Sequence, residues 1–534
     1  MELTIDGIKN KADFEKAGVE LPSFDVAEMQ EKGKANPRWI HLGPGNIFRA
    51  FPARVAHDLI ADGEHWPITA VVPMNPEELD RQLAAHDLMT LSVTLNPDGT
   101  RGLKVIAGIS EGLAWARPDD YARLVEIVKD PGVTMISMTI TEKGYGIHDS
   151  QGNLSEQVLE DIASDPRQFH KNTMANIAGL LVRRYDAGGV PINVMSFDNF
   201  SHNGDKLRDS VTQVMRGWVE GGKLDAAVLE WVENPEKVAF PVSVIDKITP
   251  RPNESVADEL TELGFTDMKV ELLGRTPIAG FVNAEPTEYL IIEDVLVGDV
   301  PNFDKYGVNV TSRKVADDFE NMKVTTCLNP LHTALATAGV VLGFETIDAE
   351  MRDPALRAFV EQLGRKEGLP VVVNPGIVDP EDFLNEVLEV RFPNRYLPDN
   401  PSRIAMDTSQ KVGIRFGETI KKYIEQGRDL GELKAIPLVI AIWMRYLLAV
   451  DDSGKPFDPS PDPLLDELQG HLKGVELGKP VDAHAVLQPI LSNPAIFGVN
   501  LYDTPLAQRI EQLFTELVAG TGAVRATLNK EMMA

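Results

Sequence analysis

The feature that most constrains this chain is a recurring order of short apolar strand, polar tip and helix. Residues 38–42 read as a strand that runs into Gly43-Pro44-Gly45-Asn46, and a helix carrying Val55, Leu59 and Ile60 follows. Residues 68–72 form a second strand at the distance a βαβ unit requires. The order returns at 134–140, which ends in Thr141-Glu142-Lys143-Gly144-Tyr145-Gly146. It returns again at 192–197, which delivers Asp198-Asn199-Phe200-Ser201-His202-Asn203-Gly204. Helices are predicted after these tips, over 172–186 and 205–220. Such alternation specifies a parallel sheet covered by helices, with ligands at the carboxyl ends of the strands. The predicted fold is α/β, doubly wound.

A Gly-x-Gly turn between strand and helix lets backbone approach a pyrophosphate at the helix N-terminus. Gly43 and Gly45 fill two fingerprint positions, and Phe48 stands where the third glycine usually does. Alone, the turn fits a plain tight turn as well as a dinucleotide site. The second strand ends in Pro73-Met74-Asn75, with no acidic residue to grip a ribose 2′-hydroxyl, so NAD and NADP both stay open.

Composition excludes several function classes. With 52 Lys and Arg against 81 Asp and Glu, the net charge is −29, which repels nucleic acid and anionic membrane. A small anionic substrate is still allowed, because net charge does not set the field of a cleft. One cysteine, Cys327, rules out an internal disulfide and fits a reducing compartment. It reads as a small buried residue rather than a nucleophile. No basic leader, no apolar signal segment and no membrane-length apolar run is present, so a cytoplasmic location is expected. The ten histidines show no ligand spacing, and no metal is expected.

From about residue 306 the periodicity becomes helical, over 312–322, 330–343, 354–365, 382–390, 411–426 and 435–450. Terminal helices are predicted near 463–471, 481–490 and 505–529. The expected organisation is a dinucleotide-binding α/β domain over 1–305 and a mainly α-helical domain over 306–534. Residues 1–36 read as a polar, weakly patterned surface arm.

At the head of the helical half stands Lys323-Val324-Thr325-Thr326-Cys327-Leu328-Asn329-Pro330-Leu331-His332, followed by an apolar run. Asn329 before Pro330 reads as a helix cap, and Asn329 and His332, three apart, can share a face. A polar cluster against so apolar a segment needs partners or a purpose.

Taken together, Gly43-x-Gly45 with Arg49, Thr139-x-Thr141-Glu142-Lys143-Gly144-Tyr145, Asp198-Asn199 with Asn203-Gly204, Asp246-x-Ile248-Thr249-Pro250, and Lys323 with Asn329-x-x-His332 resemble the polyol-specific long-chain dehydrogenases, the mannitol dehydrogenase family. Arg403-Ile404-Ala405-Met406-Asp407-Thr408-Ser409-Gln410-Lys411 resembles its sugar-acid branch, the mannonate oxidoreductases or fructuronate reductases. The motifs run in family order from about 38 to 415. The resemblance implies zinc-independent hydride transfer between NAD(P) and a secondary alcohol. It implies Lys323 as general base, Asn199 and Asn329 as donors to the developing alkoxide, and His332 on a substrate hydroxyl. Glu320 would relay the proton outward, and Asp246, Arg403 and Lys411 would line the polyol pocket. Cofactor contacts would come from Gly43, Gly45, Asn46, Phe48, Arg49, Thr141, Glu142 and Lys143. The cleft between the two domains would hold the site.

The physics agrees with such roles. A lysine acts as a base only if desolvation or nearby cations make it partly neutral. Fixed amides stabilise an alkoxide without reorganising.

One departure stands out. The family pattern has five residues from lysine to asparagine, whereas Lys323 and Asn329 are six apart. On a regular helix the offset to His332 would turn the two side chains roughly 180° apart. A break or bulge near Pro330 is therefore expected. The favoured reaction is interconversion of D-mannonate and D-fructuronate. The alternatives are a mannitol 2-dehydrogenase acting on neutral polyols and fructose, and a non-catalytic dinucleotide sensor. Sequence leaves the oligomeric state open.

Overall fold

A computed structural model describes residues 1–533 and divides into two compact units, Met1–Ala316 and Asp317–Ala534. The centre of the first unit is a six-stranded, wholly parallel sheet. Its strands run in the spatial order Ile109–Ala114, Ile68–Val72, Trp39–Leu42, Met135–Met138, Ile192–Ser196 and Val238–Ala239. Counted along the chain this is 3-2-1-4-5-6, the dinucleotide-fold order. The order reverses between Trp39–Leu42 and Met135–Met138. That reversal opens a crevice at their carboxyl ends, where Gly43 and Thr139 emerge.

The strands read as unbroken apolar runs because helices cover both faces. Ile40, Leu42, Ile136, Met138 and Val194 point into one core with residues of the Pro118–Lys129, Thr173–Asp186 and Asn203–Glu220 helices. Trp39, Met135, Met195 and Phe197 point into the other, with Ile245 and Leu290. Outside the main sheet lie a four-stranded mixed sheet, a hairpin, and a three-stranded sheet in which Ser243–Asp246 pairs antiparallel with Tyr289–Glu293. The last of these places Asp246 at a strand end.

Residues 1–36 pack on the first unit through regular elements. They form helices Lys11–Lys16 and Val26–Ala35 and a strand, Val19–Glu20, that joins the four-stranded sheet beside Arg101–Ile106. Leu3 and Phe14 are fully buried. Their few apolar residues are too scattered to show a period, and packing supplied by distant segments overrides the weak local pattern.

The second unit is helical. Ala435–Tyr446 is buried along its whole length, and the Glu367 carboxylate closes its N-terminus by accepting from the backbone N–H of Lys434, Ala435 and Ile436 at 2.8, 2.6 and 2.9 Å. The region predicted as one helix over 505–529 is two, Leu506–Leu517 and Ala523–Met532, parted at Gly520 and Gly522, both at positive φ. Segments predicted as continuous helix contain π turns at Gln362–Gly368, Val387–Arg391 and Gly413–Gly417. Among the described residues no helix is long and apolar enough to cross a membrane.

Candidate active site

In the first unit the site is built on two glycines with different duties. Gly43 leaves its strand at φ 84°, and a Cβ there would lie 2.3 Å from the Thr139 carbonyl oxygen. Only glycine fits. Gly45 has ordinary extended backbone (φ −75°, ψ −168°), and a Cβ on it would meet nothing within 4 Å. Its open face is the cradle a pyrophosphate needs.

The missing third glycine is replaced by an aromatic contact. Phe48 is fully buried and lies flat on the His41 imidazole, ring centroids 3.9 Å apart and planes 17° from parallel. His41 belongs to a buried hydrogen-bond chain whose direction the end groups fix. Trp39 Nε1 can only donate, and it gives its proton to Ser137 Oγ at 2.7 Å. Ser137 then donates to His41 Nδ1 (2.7 Å), His41 Nε2 donates to Thr139 Oγ1 (3.1 Å), and Thr139 donates to the Gly43 carbonyl (2.7 Å). Burial pushes the His41 imidazole down to about 3, so the ring is neutral, as this chain requires. The chain pins the glycine turn to the neighbouring strand.

Asn46 and Arg49 complete the turn. Arg49 is fully buried, bonded to the Asn46 side chain (3.0 Å) and to the Ala279 carbonyl (2.9 Å). Burial brings its guanidinium down to about 10. Phe48 and Arg49 thus face inward and hold the short Asn46–Ala50 helix in place.

The tip after Met135–Met138 carries Thr141, Glu142 and Lys143, all exposed. Thr141 is held at φ 63°, ψ 157°, a conformation that costs a non-glycine residue about 1–3 kcal/mol. Asp198, from the adjacent strand tip, offsets that strain. Its carboxylate accepts from the N–H of Ile140 and Thr141, both at 2.9 Å, and from the Tyr145 hydroxyl at 2.7 Å. Burial raises its pKa, the hydrogen bonds opposing. Asn199 follows directly and is exposed. Asn203 ties this tip to the strand ending in Asp246, since its amide donates to the carbonyls of Asp198 (2.9 Å) and Ser243 (3.0 Å) and accepts from Ser243 N–H (3.0 Å). Asp246 is buried. Asp198→Ala should therefore cost about 2–4 kcal/mol through two orphaned N–H groups and a relaxed Thr141. Denaturant unfolding checks this, and a midpoint equal to that of the native chain would show that the clamp does not hold the tip.

In the second unit, the Arg313–Met322 helix carries Glu320 and runs into a π turn, Lys323–Cys327. Leu328 N–H closes it on the Lys323 carbonyl at 3.1 Å, five residues back. Leu328 then breaks the path (φ −132°, ψ −65°), and a helix restarts at Asn329–Leu342. Asn329 is thus the first helical residue rather than the cap; Pro330 behind it lacks only an N–H that would have had no intrahelical partner. The π turn is the irregularity expected from the six-residue spacing. Lys323 is 3% exposed. Asn329 is half-buried, and its side-chain oxygen has no hydrogen-bond partner among the described residues. The His332 ring leans on Phe392, centroids 4.3 Å apart.

Arg403 and Lys411 fall differently. Arg403 is 69% exposed, and Asp399 takes both arms of its fork at 2.7–2.9 Å. Lys411 is half-buried and donates to the Met406 carbonyl; burial, then the nearby Arg415, lowers its pKa. Among the described residues no three His, Cys, Asp or Glu side chains gather where a metal ion could be held.

Sequence reading assigned no role to His41, Ser137, Asp198 or Arg415. The first two are readable only once strand register is known, since His41 stands opposite Ser137. Asp198 sits beside a residue that was singled out, and its partners are backbone groups without sequence identity.

Comparison with known proteins identifies both domains. The family model described as the Mannitol dehydrogenase Rossmann domain matches residues 37–270, and that of the Mannitol dehydrogenase C-terminal domain matches 316–518. A D-mannonate oxidoreductase of Thermotoga maritima is 44% identical over 537 residues, 99% of each chain. One of Escherichia coli is 29% identical, covering 84% of this chain and 87% of that protein. Among solved structures, a Pseudomonas fluorescens mannitol 2-dehydrogenase in ternary complex with NAD and D-mannitol aligns with a TM-score of 0.70 at 26% identity over 99% of each chain. A substrate-free D-sorbitol dehydrogenase aligns with a TM-score of 0.80 at 25% identity over 96% of this chain and 97% of that one. With both domains matched in order and so similar a relative over the full length, the chain belongs to the mannitol dehydrogenase family and is an NAD(P)-dependent dehydrogenase of polyols or sugar acids.

Proposed function

We infer that the chain interconverts D-mannonate and D-fructuronate without a metal ion, with Lys323 as general base. The observation that carries the base assignment is the π turn that buries the Lys323 side chain immediately before the break at Leu328. π turns recur at functional sites, where they re-aim a side chain that a regular helix would turn away. Asn329 adds a second support: its side-chain oxygen is buried without a partner, so the protein does not hold the amide there and its Nδ2 group can donate to a developing alkoxide. Asn199, Asp246, His332 and Glu320 take the roles implied by family position: alkoxide donor, two hydroxyl contacts and outward proton relay. Bound NAD supplies the hydride acceptor, and the open cradle at Gly45 fits its pyrophosphate. The protein's own work is to orient the alcohol, take its proton at the Lys323 Nζ, and keep water from the exchange.

The sugar-acid substrate is supported by the 44% relative named D-mannonate oxidoreductase. A neutral polyol is the second reading, favoured by Arg403, whose charge Asp399 already engages. NADH oxidation with D-fructuronate, D-tagaturonate and D-fructose, run in the presence of a chelator, separates them. Fructuronate should exceed fructose in kcat/KM by about 100-fold or more, because a site built for a carboxylate leaves buried charge unpaired with the neutral sugar. Equal turnover of fructose would give the neutral-polyol reading the field. Activity lost to the chelator and restored by zinc would end metal independence.

A further inference from the structure

The second unit contains a pair of cations that make no ion pair: Arg415 has no acidic neighbour, and Lys411 feels Asp407 and Asp462 only from beyond contact distance. Lys411 and Arg415 stand four residues apart, Arg415 within the π turn Gly413–Gly417. Arg415 is half-buried; its Nη1 donates to the Thr333 hydroxyl, while Lys411 donates to the Met406 carbonyl. Among the described residues these are their only side-chain hydrogen bonds, and no carboxylate lies within ion-pair distance of either. Burial brings the Arg415 guanidinium down to about 10, with no acidic neighbour opposing. A partly desolvated guanidinium without a counter-ion, beside a second cation, is unfavourable, and a fold retains it at a cost unless an anion arrives.

Position supports the same conclusion. The Gly413–Gly417 turn packs against the Lys323–Cys327 turn. Thr333, which accepts from Arg415, in turn donates to the Asn329 carbonyl at 3.2 Å. Arg415 is therefore fastened to the first turn of the helix that carries Asn329 and His332. With Nη1 engaged on Thr333, the Nε and Nη2 protons remain for a planar two-oxygen acceptor. Arg403 differs: its Nε and Nη2 are already held by Asp399, and its side chain is exposed.

We propose that Arg415, assisted by Lys411, binds the carboxylate of a sugar-acid substrate and so decides between a sugar acid and a neutral polyol. This rests on the sugar-acid reading above and names the residue that enforces it. A hexuronate carries its charge at one end and its ketone near the other, so one anchored end sets which carbon meets the base.

Arg415→Met, with Arg415→Lys beside it, tests the assignment. The ratio of kcat/KM for D-fructuronate to that for D-fructose should fall about 100-fold in the methionine variant and less in the lysine variant, mainly through KM for fructuronate. The NADH dissociation constant, measured by fluorescence, serves as the check on folding. A ratio unchanged while fructuronate is still reduced overturns Arg415 alone; a native chain that reduces no hexuronate overturns both readings. A second measurement needs no variant. In the native protein, D-mannonate should protect Arg415 from modification by phenylglyoxal, mapped by peptide mass spectrometry, and D-mannitol should not. Modification that is absent, or equal with both sugars, overturns the proposal.

Discussion

Gly45→Val should weaken NADH binding by about 100-fold or more and leave the fold standing, while Gly43→Ala should damage the fold itself. The two glycines are two residues apart, yet the backbone separates their duties. At Gly45 the dihedral angles suit any residue and a side chain meets no protein atom within 4 Å. Valine there would occupy only the space through which the backbone meets a pyrophosphate. Losing two charge-assisted hydrogen bonds at about 1.5–3 kcal/mol each gives the expected factor. At Gly43 an alanine methyl would press on the Thr139 carbonyl at 2.3 Å and force a left-handed backbone on an L-residue. Strain and displacement together should cost on the order of 3 kcal/mol. They should also disturb the Trp39–Ser137–His41–Thr139 chain that ends on the Gly43 carbonyl. Fluorescence titration and thermal melting separate the outcomes. A Gly45→Val protein that binds NADH like the native chain would move the cofactor away from this turn.

The strands and the order of the α/β unit were legible because parallel strands buried on both faces are short, apolar and bounded by polar tips. Ile68–Val72 and Thr173–Asp186 fall where the pattern put them. The break after Lys323 was legible for a different reason: a helix cannot absorb an extra residue without a bulge. Three things lay outside what a linear pattern records. Side chain to backbone clamps, such as Asp198 on Ile140 and Thr141, leave no mark on the partner residue. Pairings set by register, such as His41 with Ser137, appear only when strands are laid side by side. The capture of Arg403 by Asp399 was hidden because any acidic residue could have played that part. Arg415 was hidden similarly, since inside the 411–426 period it looks like one more solvated helix cation. Burial without an acidic partner distinguishes it, and burial is a tertiary property.

Lys323→Ala should lower kcat by about 100- to 10,000-fold, the range a positioned general base supplies, while NADH binding survives. In free energy this is roughly 3–5.5 kcal/mol of barrier. The argument is geometric. In an α-helix each residue advances about 100°, so six residues to Asn329 and nine to His332 would scatter the three side chains around the axis. The π turn closes over five residues instead of four, so each of its residues turns less. Leu328 then resets the backbone before the second helix begins. On the proposed reading, the use of the π turn is to fix where the Lys323 amine points relative to the helix that begins at Asn329. Removing the side chain beyond Cβ from a site only 3% exposed also leaves a cavity. A small primary amine such as methylamine should enter it and restore part of the rate, more so at higher pH, where more of the added amine is neutral. Lys323→Met, which fills the cavity, should be as slow as the alanine variant and gain nothing from added amine. An alanine variant within tenfold of the native rate would remove Lys323 from the chemistry, whatever position it holds in the family pattern.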